Sequence, residues 1–362
     1  MKDRNWLEID INAIRQNILL AKSHVKDKKV IGIVKADCYG LGSQIAKYCQ
    51  DLLDGFGVAS ISEGEELRKE GITKDILLLG GFFMSEENIK RAIDNNLDLS
   101  VSDFEQVKKI NEFCEKENKK ACIQIAVDSG MGRWGFDIND DISKLFDIKN
   151  ICIKGIFSHL AMADEKGDKL SASQLQKFEQ FCTHALIGKD FEGNIHILNS
   201  AGIFRYPDTF GNAVRLGIAM YGCPPSEIFE KLPLKNCARW YARIINVKSI
   251  KEGEGISYGW TFIAKRPMNV ASIAIGYADG LQRSLSGILK VYYKGKAYPI
   301  LGRICMDQCV VGFYDDLPKE GDTVEIIGEG NTFQSMANLS ETINYEIISR
   351  ISKRTEKYYY NI

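Results

Sequence analysis

The chain has 362 residues, 45% of them hydrophobic and 26% charged, with a formal net charge of -1. This composition suits a globular protein of two or three domains and provides no field that would gather nucleic acid or a membrane surface. No apolar run approaches the roughly 20 residues of a membrane span, and the ten cysteines form no CxxC pair and no His/Cys cluster at zinc spacing, which points to reduced thiols in the cytoplasm and no metal.

The start, MKDRNWLEIDINAIRQN, is charged and lacks the apolar stretch of a leader. The cytosolic piece of a longer membrane-anchored protein would read the same way. From Trp6 to about Gly222, short apolar runs alternate with amphipathic stretches. WLEIDI leads into NAIRQNILLAKSHV, VIGIVKA into GSQIAKYCQDLL, GFGVAS into ISEGEELRKEG, and DILLLGG into SEENIKRAIDNN. DLSVS leads into DFEQVKKINEFCEKENK and ACIQIAVD into DDISKLFDI; ICIKGIFSH is followed by LSASQLQKFEQFCTHAL, and NIHILNS by a last unit ending in AVRLGIAMYG. Strict alternation of this kind predicts a parallel α/β fold, and about eight strands suit a (β/α)8 TIM barrel, which typically takes about 250 residues. A doubly wound sheet is the competing reading. After residue 230 the runs become short, β-branched and aromatic between glycines, as in ARWYARIINVKSI, ILKVYYKGKAYPILGRI and DTVEIIG, which predicts an all-β module. The expected division is therefore a barrel over 6–230 and a C-terminal all-β domain over 231–362 that also takes in residues 1–5.

In a barrel, polar residues at the C-terminal strand ends face the ligand mouth. Here those ends carry Lys35, Asp128, His159, Asn199 with Ser200, and Arg215. A lone lysine at a strand end is more often a snorkelling surface residue, but several polar ends converging on one mouth read poorly as packing. Ser200, with the backbone N–H groups of Gly217 and Ile218, suits a phosphate, and Tyr39 can add a phenolic hydrogen bond. A lysine beside a phosphate cradle suggests an amine that condenses with the aldehyde of pyridoxal 5'-phosphate. Arg215 sharpens this, because an arginine cannot give its proton to a pyridine ring. A weakened electron sink favours returning a proton to the α-carbon over transamination.

The motifs VKADCYGLG, DSGMGRWG, GIFSHLAMADE, HILNSAG, AVRLGIAMYG, ISYGWTF, IGYADGLQR and GRICMDQ make the chain similar to the alanine racemase family of fold-type III pyridoxal phosphate enzymes. That family also includes the serine-racemizing domains of vancomycin-resistance proteins. The similarity runs over nearly the whole chain. It implies a barrel plus a β domain, an isomerase supplying D-alanine for peptidoglycan, and a head-to-tail homodimer whose active sites are shared. Carried over by motif, Lys35 binds the cofactor covalently and is one catalytic base, while Tyr258 from the second subunit is the other. His159 supports that tyrosine and is itself linked to an arginine. Arg133 holds the cofactor's phenolic oxygen and the substrate carboxylate, and Arg215, oriented by His196, faces the pyridine nitrogen. Phosphate contacts fall to Tyr39, Ser200, Gly217, Ile218 and Tyr345. Met306 and Asp307 of the partner lie at the substrate end, and Tyr277 and Arg283 line the approach corridor.

The chain departs from the pattern at several points. A lysine that many family members carry, carbamylated and holding the arginine equivalent to Arg133, is Ala126 here; the usual proline after the pyridine-facing arginine is Leu216. Tyr345 and Met306 bound a small pocket that suits alanine, whereas serine adds only a hydroxyl, which such a pocket rejects poorly, by about a hundredfold. A serine or serine/alanine racemase thus stays open beside alanine. An amino-acid decarboxylase would need a catalytic cysteine motif where ISYG stands, and single-barrel pyridoxal phosphate carriers lack a β domain.

Overall fold

The computed structural model describes residues 3–362. Eight parallel strands form a barrel in chain order: Lys29–Ile33, Gly55–Val58, Asp75–Leu78, Leu97–Val101, Ala121–Asp128, Ile151–Phe157, Asn194–His196 and Ala213–Leu216. The last strand pairs with the first. Its other edge is joined to the seventh by the Arg215 N–H to the Leu198 carbonyl at 2.9 Å and the Asn212 N–H to the Ile195 carbonyl at 3.1 Å. Barrel strands are covered on both faces, and Gly55–Val58 and Leu97–Val101 are buried at every position. The helices between them follow from apolar spacing and caps. Helix Ile11–Val25 buries Ile11, Ile14, Ile18, Ala21 and Val25 on one face, and its N-cap Asp10 accepts from the Ala13 N–H; Ser60, Ser85 and Asp103 cap later helices the same way.

The C-terminal unit is a second sheet. Ala238–Ile250, Met268–Ile273, Cys309–Tyr314, Lys296–Leu301, Lys290–Tyr293 and Thr323–Ile327 close into a ring, because the 13-residue first strand pairs with the last along one stretch and with Met268–Ile273 along another. Two more strands extend this sheet. Asn5–Asp10 runs antiparallel to Ala238–Ile250, and Glu356–Tyr360 runs parallel to Asn5–Asp10.

That placement corrects the reading of WLEIDI as the first barrel unit. Glu8 and Asp10 alternate with buried Leu7 and Ile9, the pattern of a sheet wet on one face, whereas barrel strands such as VIGI have no polar alternation. A boundary at residue 6 would therefore cut a strand of the second sheet. The same sheet holds a strand, Glu356–Tyr360, that the charged, aromatic close of the chain did not suggest. Both units share one continuous apolar core running from Leu7 and Trp240 into the barrel helices. Among the described residues no helix is long and apolar enough to cross a membrane.

Candidate active site

Lys35 follows the first barrel strand, and the chain leaves it through a left-handed turn. Ala36, Asp37, Cys38 and Tyr39 have φ of 53°, 55°, 50° and 55°, and Gly40 follows at 80°. For an L residue each left-handed step costs about 1–2 kcal/mol, so the turn persists only where its surroundings over-determine it. Two grips do so. Glu63, the capping-box glutamate of helix Ile61–Lys69, accepts the Ala36 N–H on one carboxylate oxygen and the Ala59 N–H on the other, both at 2.7 Å. From the opposite side, Lys357 of the last strand donates to Asp37 at 2.7 Å, and the Tyr359 hydroxyl donates to the Leu41 carbonyl at 3.0 Å. Gly40 is required where it stands: a Cβ there would lie 2.4 Å from the Ile348 carbonyl oxygen.

The turn delivers Lys35 and Tyr39 to a cavity of about 920 Å³ at the C-terminal ends of the barrel strands. Lys35, Arg133, His159 and Arg215 line one part of it. The Lys35 side chain is open to the cavity. Burial, with Arg133 and Arg215 nearby, lowers its pKa against the pull of Glu63, which raises the share of neutral, proton-accepting amine. Burial, with Arg215, Arg133 and Lys35, pushes His159 down to about 3, so its imidazole is neutral. Arg215 is fully buried, and burial and Arg133 bring it down to about 9, which leaves it a cation at neutral pH. Its Nη2 donates to the Ser158 carbonyl at 2.6 Å and to His159 Nδ1 at 3.0 Å, and its Nη1 to His196 Nδ1 at 2.6 Å. Its Nε makes no hydrogen bond to another described residue, and Arg215 lines the cavity.

The other part of the cavity is lined by Tyr39, Ser200, Gly217, Ile218 and Tyr345. The rings of Tyr39 and Tyr345 stand 6.3 Å apart, and the Gly217 N–H donates to Ser200 Oγ at 2.9 Å. A Cβ on Gly217 would sit 2.9 Å from the Tyr39 hydroxyl and 3.6 Å from Ser200 Oγ, filling the space between two hydroxyls. The donor set fits pyridoxal 5'-phosphate on these grounds. Two arginine cations and a cradle of hydroxyl and backbone N–H donors suit a dianionic phosphate and a carboxylate, and the glycine keeps the cradle open.

His196 lies directly behind the cavity, stacked on Phe157 at 5.3 Å and 3°. Tyr258, Met306 and Asp307 are not brought to this cavity. Tyr258 is 71% exposed on the C-terminal unit, and Asp307 is held by Arg354 at 2.8 Å. Tyr277 and Arg283 line a second cavity of about 520 Å³ that meets the first at Glu346. Asp128 folds the glycine-rich turn after its strand, accepting the Gly130 and Gly132 N–H groups at 2.9 and 3.0 Å. Ala126 is packed with Leu77 and Phe157, beside Trp134, and the Arg133 guanidinium makes no hydrogen bond or ion pair to another described residue, although its backbone N–H is directed to the Asp128 carboxylate. Sequence reasoning missed Glu63 and Lys357. The capping-box spacing at Ser60 and Glu63 was a usable signal for the first, and nothing local marks the second.

The barrel and the second sheet match family models described as "Alanine racemase, N-terminal domain" over residues 9–225 and "Alanine racemase, C-terminal domain" over 237–359. An alanine racemase of Clostridium novyi is 38% identical over 378 residues, covering 98% of this chain and 95% of that protein. The alanine racemase of D-cycloserine-producing Streptomyces lavendulae superposes with a TM-score of 0.93 at 30% identity, over 100% of this chain and 98% of that one. That of Bartonella henselae, described as holding covalently bound pyridoxal phosphate, gives 0.88 at 30% identity over 99% of both chains.

Proposed function

The chain belongs to the alanine racemase family, and from that membership we propose how its own residues divide the work. It is an isomerase that interconverts L- and D-alanine with pyridoxal 5'-phosphate. When bound, the cofactor supplies an electron-withdrawing ring that stabilises negative charge at the substrate's α-carbon.

Racemization needs a proton removed on one face of a planar carbon and returned on the other, so two bases must flank it. Lys35 is the base on one face and the residue that holds the cofactor. Its lowered pKa favours the neutral amine. Tyr258 of a second copy is the base on the opposite face, with His159 behind it. A neutral His159, anchored through Nδ1 to Arg215, leaves Nε2 to hydrogen-bond an incoming phenol. Arg133 orients the substrate carboxylate, and Met306 and Asp307 of the second copy close the substrate end, with Tyr345 bounding the small side chain. Tyr39, Ser200, Gly217, Ile218 and Tyr345 hold the phosphate. Arg215, with no proton to give at neutral pH, keeps the electron demand of the ring low, which favours reprotonation at the same carbon.

The observation that carries the reading is the convergence of Lys35, Arg133, His159 and Arg215, from four separate strand ends, on one cavity beside the Tyr39–Ser200–Gly217 cradle. A homodimer follows, because the second base lies exposed on the outer face of the C-terminal unit. Trp260 and Met306 of the same unit are also exposed. We take residues 11–230 as the barrel domain and 231–362 with Asn5–Asp10 as the β domain. A cytoplasmic setting fits the ten free thiols.

The test is subunit mixing. Lys35→Ala and Tyr258→Phe are each expected to racemize alanine at least a hundredfold more slowly than the unaltered protein. Mixed and refolded together, they should regain activity, since one of the two sites in a heterodimer keeps both bases. No recovery in demonstrated heterodimers would refute the shared site.

A further inference from the structure

Behind Arg215 a line of buried polar side chains continues down the barrel, past the histidine already described. Arg215 Nη1 meets His196 Nδ1 at 2.6 Å, His196 Nε2 meets Gln124 Oε1 at 2.9 Å, and Gln124 Nε2 donates to Asp98 Oδ2 at 2.8 Å. All four residues are 3% exposed or less. They come from four barrel strands, and Asp98 is the second residue of its strand, towards the end of the barrel away from the cavity.

The chain has a direction. A guanidinium offers only donors, so His196 Nδ1 must accept. Burial and Arg215 keep the ring neutral by pushing its pKa well below the ordinary value, so its one proton sits on Nε2 and is donated to Gln124 Oε1. The amide then has only its NH2 left to present, and Asp98 accepts it. Reversing any link would set two donors or two acceptors face to face in the buried interior, where each unsatisfied group costs about 1–3 kcal/mol. The guanidinium fixes the direction at one end and the carboxylate at the other.

The neighbouring strands are shaped to this line. Gly155 pairs with Gln124 across the sheet, and a Cβ there would lie 2.6 Å from Gln124 Oε1. Phe157 stacks on His196 and sits 5.6 Å from the Arg215 guanidinium carbon. Arg215 also donates to the carbonyls of Ser158, His196 and Ile197, so these bonds hold its charge in place without the histidine. What the histidine adds is a directional acceptor for Nη1, which sets the plane of the guanidinium.

We propose that Asp98 is a positioning residue for Arg215, acting through Gln124 to hold His196 in the tautomer that accepts from the guanidinium. Its link to turnover rests on the role assigned to Arg215 above; the tautomer does not. The readout that needs no cofactor is ring ¹⁵N NMR of histidine-labelled apoprotein. The protein has four histidines, and His24→Gln and His184→Gln remove two for assignment. The unaltered protein should show His196 neutral, with a bare Nδ1 and a protonated Nε2.

Asp98→Leu, close in volume but unable to accept, removes the acceptor that keeps the Gln124 NH2 turned away from His196; a flipped amide would then set its NH2 against Nε2, compete with the guanidinium and mix the two tautomers. In the cofactor-loaded enzyme it should lower kcat for alanine at least tenfold, with KM within threefold. Asp98→Asn, which still offers a carbonyl oxygen, should stay near the unaltered protein in both measurements. Gly155→Ala, whose methyl displaces Gln124 Oε1, should reproduce the mixed tautomers where Asp98→Leu does not fold. A proton on His196 Nδ1 in the unaltered protein would overturn the proposal without any variant. So would a folded Asp98→Leu with unchanged His196 signals and unchanged kcat. Absence of racemization by the unaltered loaded protein would strike the functional reading instead and leave the NMR result standing.

Discussion

Replacing Lys357 by methionine removes one charge of a nearly dry ion pair and leaves the rest of the last strand in place. Lys357 Nζ is 2.7 Å from Asp37 Oδ2, and the two side chains are 12% and 16% exposed. At that separation the gross attraction is about 6 kcal/mol for an effective dielectric of 20, and desolvation opposes it. Removing one partner of a buried pair typically costs about 3–5 kcal/mol, because the survivor stays buried without its counter-charge, and this mostly covered pair falls towards the lower end of that range. Among the described residues, Asp37 would keep the Ser43 N–H at 2.9 Å as its one side-chain partner. The four left-handed residues from Ala36 to Tyr39 together store about 4–8 kcal/mol of backbone cost. Lys357 therefore offsets a large share of it, beside Glu63 and Tyr359. The loss should appear locally, as opening of the turn whose Gly40 and Gly42 N–H groups bond the Ala36 and Asp37 carbonyls at 2.7 and 2.8 Å. At about 1.4 kcal/mol per tenfold, native-state hydrogen exchange of the segment 36–42 should accelerate by roughly a hundredfold or more in Lys357→Met. Peptides from the barrel strands should change little. Lys357→Arg should preserve most of the protection. Exchange of 36–42 within threefold of the unaltered protein, in a folded Lys357→Met, would refute the idea that this ion pair holds the turn.

Gly217→Ala places a methyl 2.9 Å from the Tyr39 hydroxyl and 3.6 Å from Ser200 Oγ. Affinity for pyridoxal 5'-phosphate, followed by its absorption on titration into apoprotein, should fall at least tenfold with circular dichroism unchanged. His159, held near 3 when folded and near 6.5 when unfolded, binds its proton more readily in the unfolded chain. Stability should therefore fall as pH drops from 6.5 towards 3, by about 3 kcal/mol at pH 4.5 from this residue alone. Urea midpoints at pH 7 and 4.5 should accordingly draw closer together in His159→Gln; an equal drop in both proteins would count against a neutral, buried His159.

The barrel was legible because its signals are local. Doubly buried strands, amphipathic helices and capping residues each reveal themselves within about fifteen residues. WLEIDI misled because it too is followed by a good helix, and strand–helix alternation does not say which sheet a strand joins. Its partners, Ala238–Ile250 and Glu356–Tyr360, lie over two hundred residues away. The candidate site divides along the same line. Lys35, His159, Ser200 and Arg215 stand at strand ends, where the fold itself predicts a mouth. Lys357, Gln124 and Asp98 act through contacts that topology alone creates. In the sequence they are an ordinary charged strand residue and two polar residues interrupting apolar runs. Polar interruptions of a doubly buried strand, such as Asp98 in LDLSV and Gln124 in CIQIAV, are nonetheless a readable sign that some buried partner must exist.

The position of the last strand gives the C-terminal unit a second task. Glu356–Tyr360 lies beside Asn5–Asp10, whose terminal aspartate caps the helix leading into the barrel, and it reaches the turn that carries Lys35 through Lys357 and Tyr359. In the proposed dimer each β domain therefore serves two lysines. It braces the turn of its own through Lys357 and Tyr359, and it offers Tyr258 to that of its partner. A strand that only completed a sheet would not need a nearly buried lysine aimed at a barrel loop. The two tasks are separable, because damage to Lys357 should follow the subunit that carries it, whereas damage to Tyr258 should appear in the other. In mixed dimers of Lys357→Met with Tyr258→Phe, both lesions fall on the site holding the Lys357→Met subunit's Lys35, and the second site keeps an intact turn and an intact tyrosine. Such mixtures should recover activity, as is expected of the Lys35→Ala mixtures. Failure to recover would mean that the brace acts across the interface rather than within its own chain.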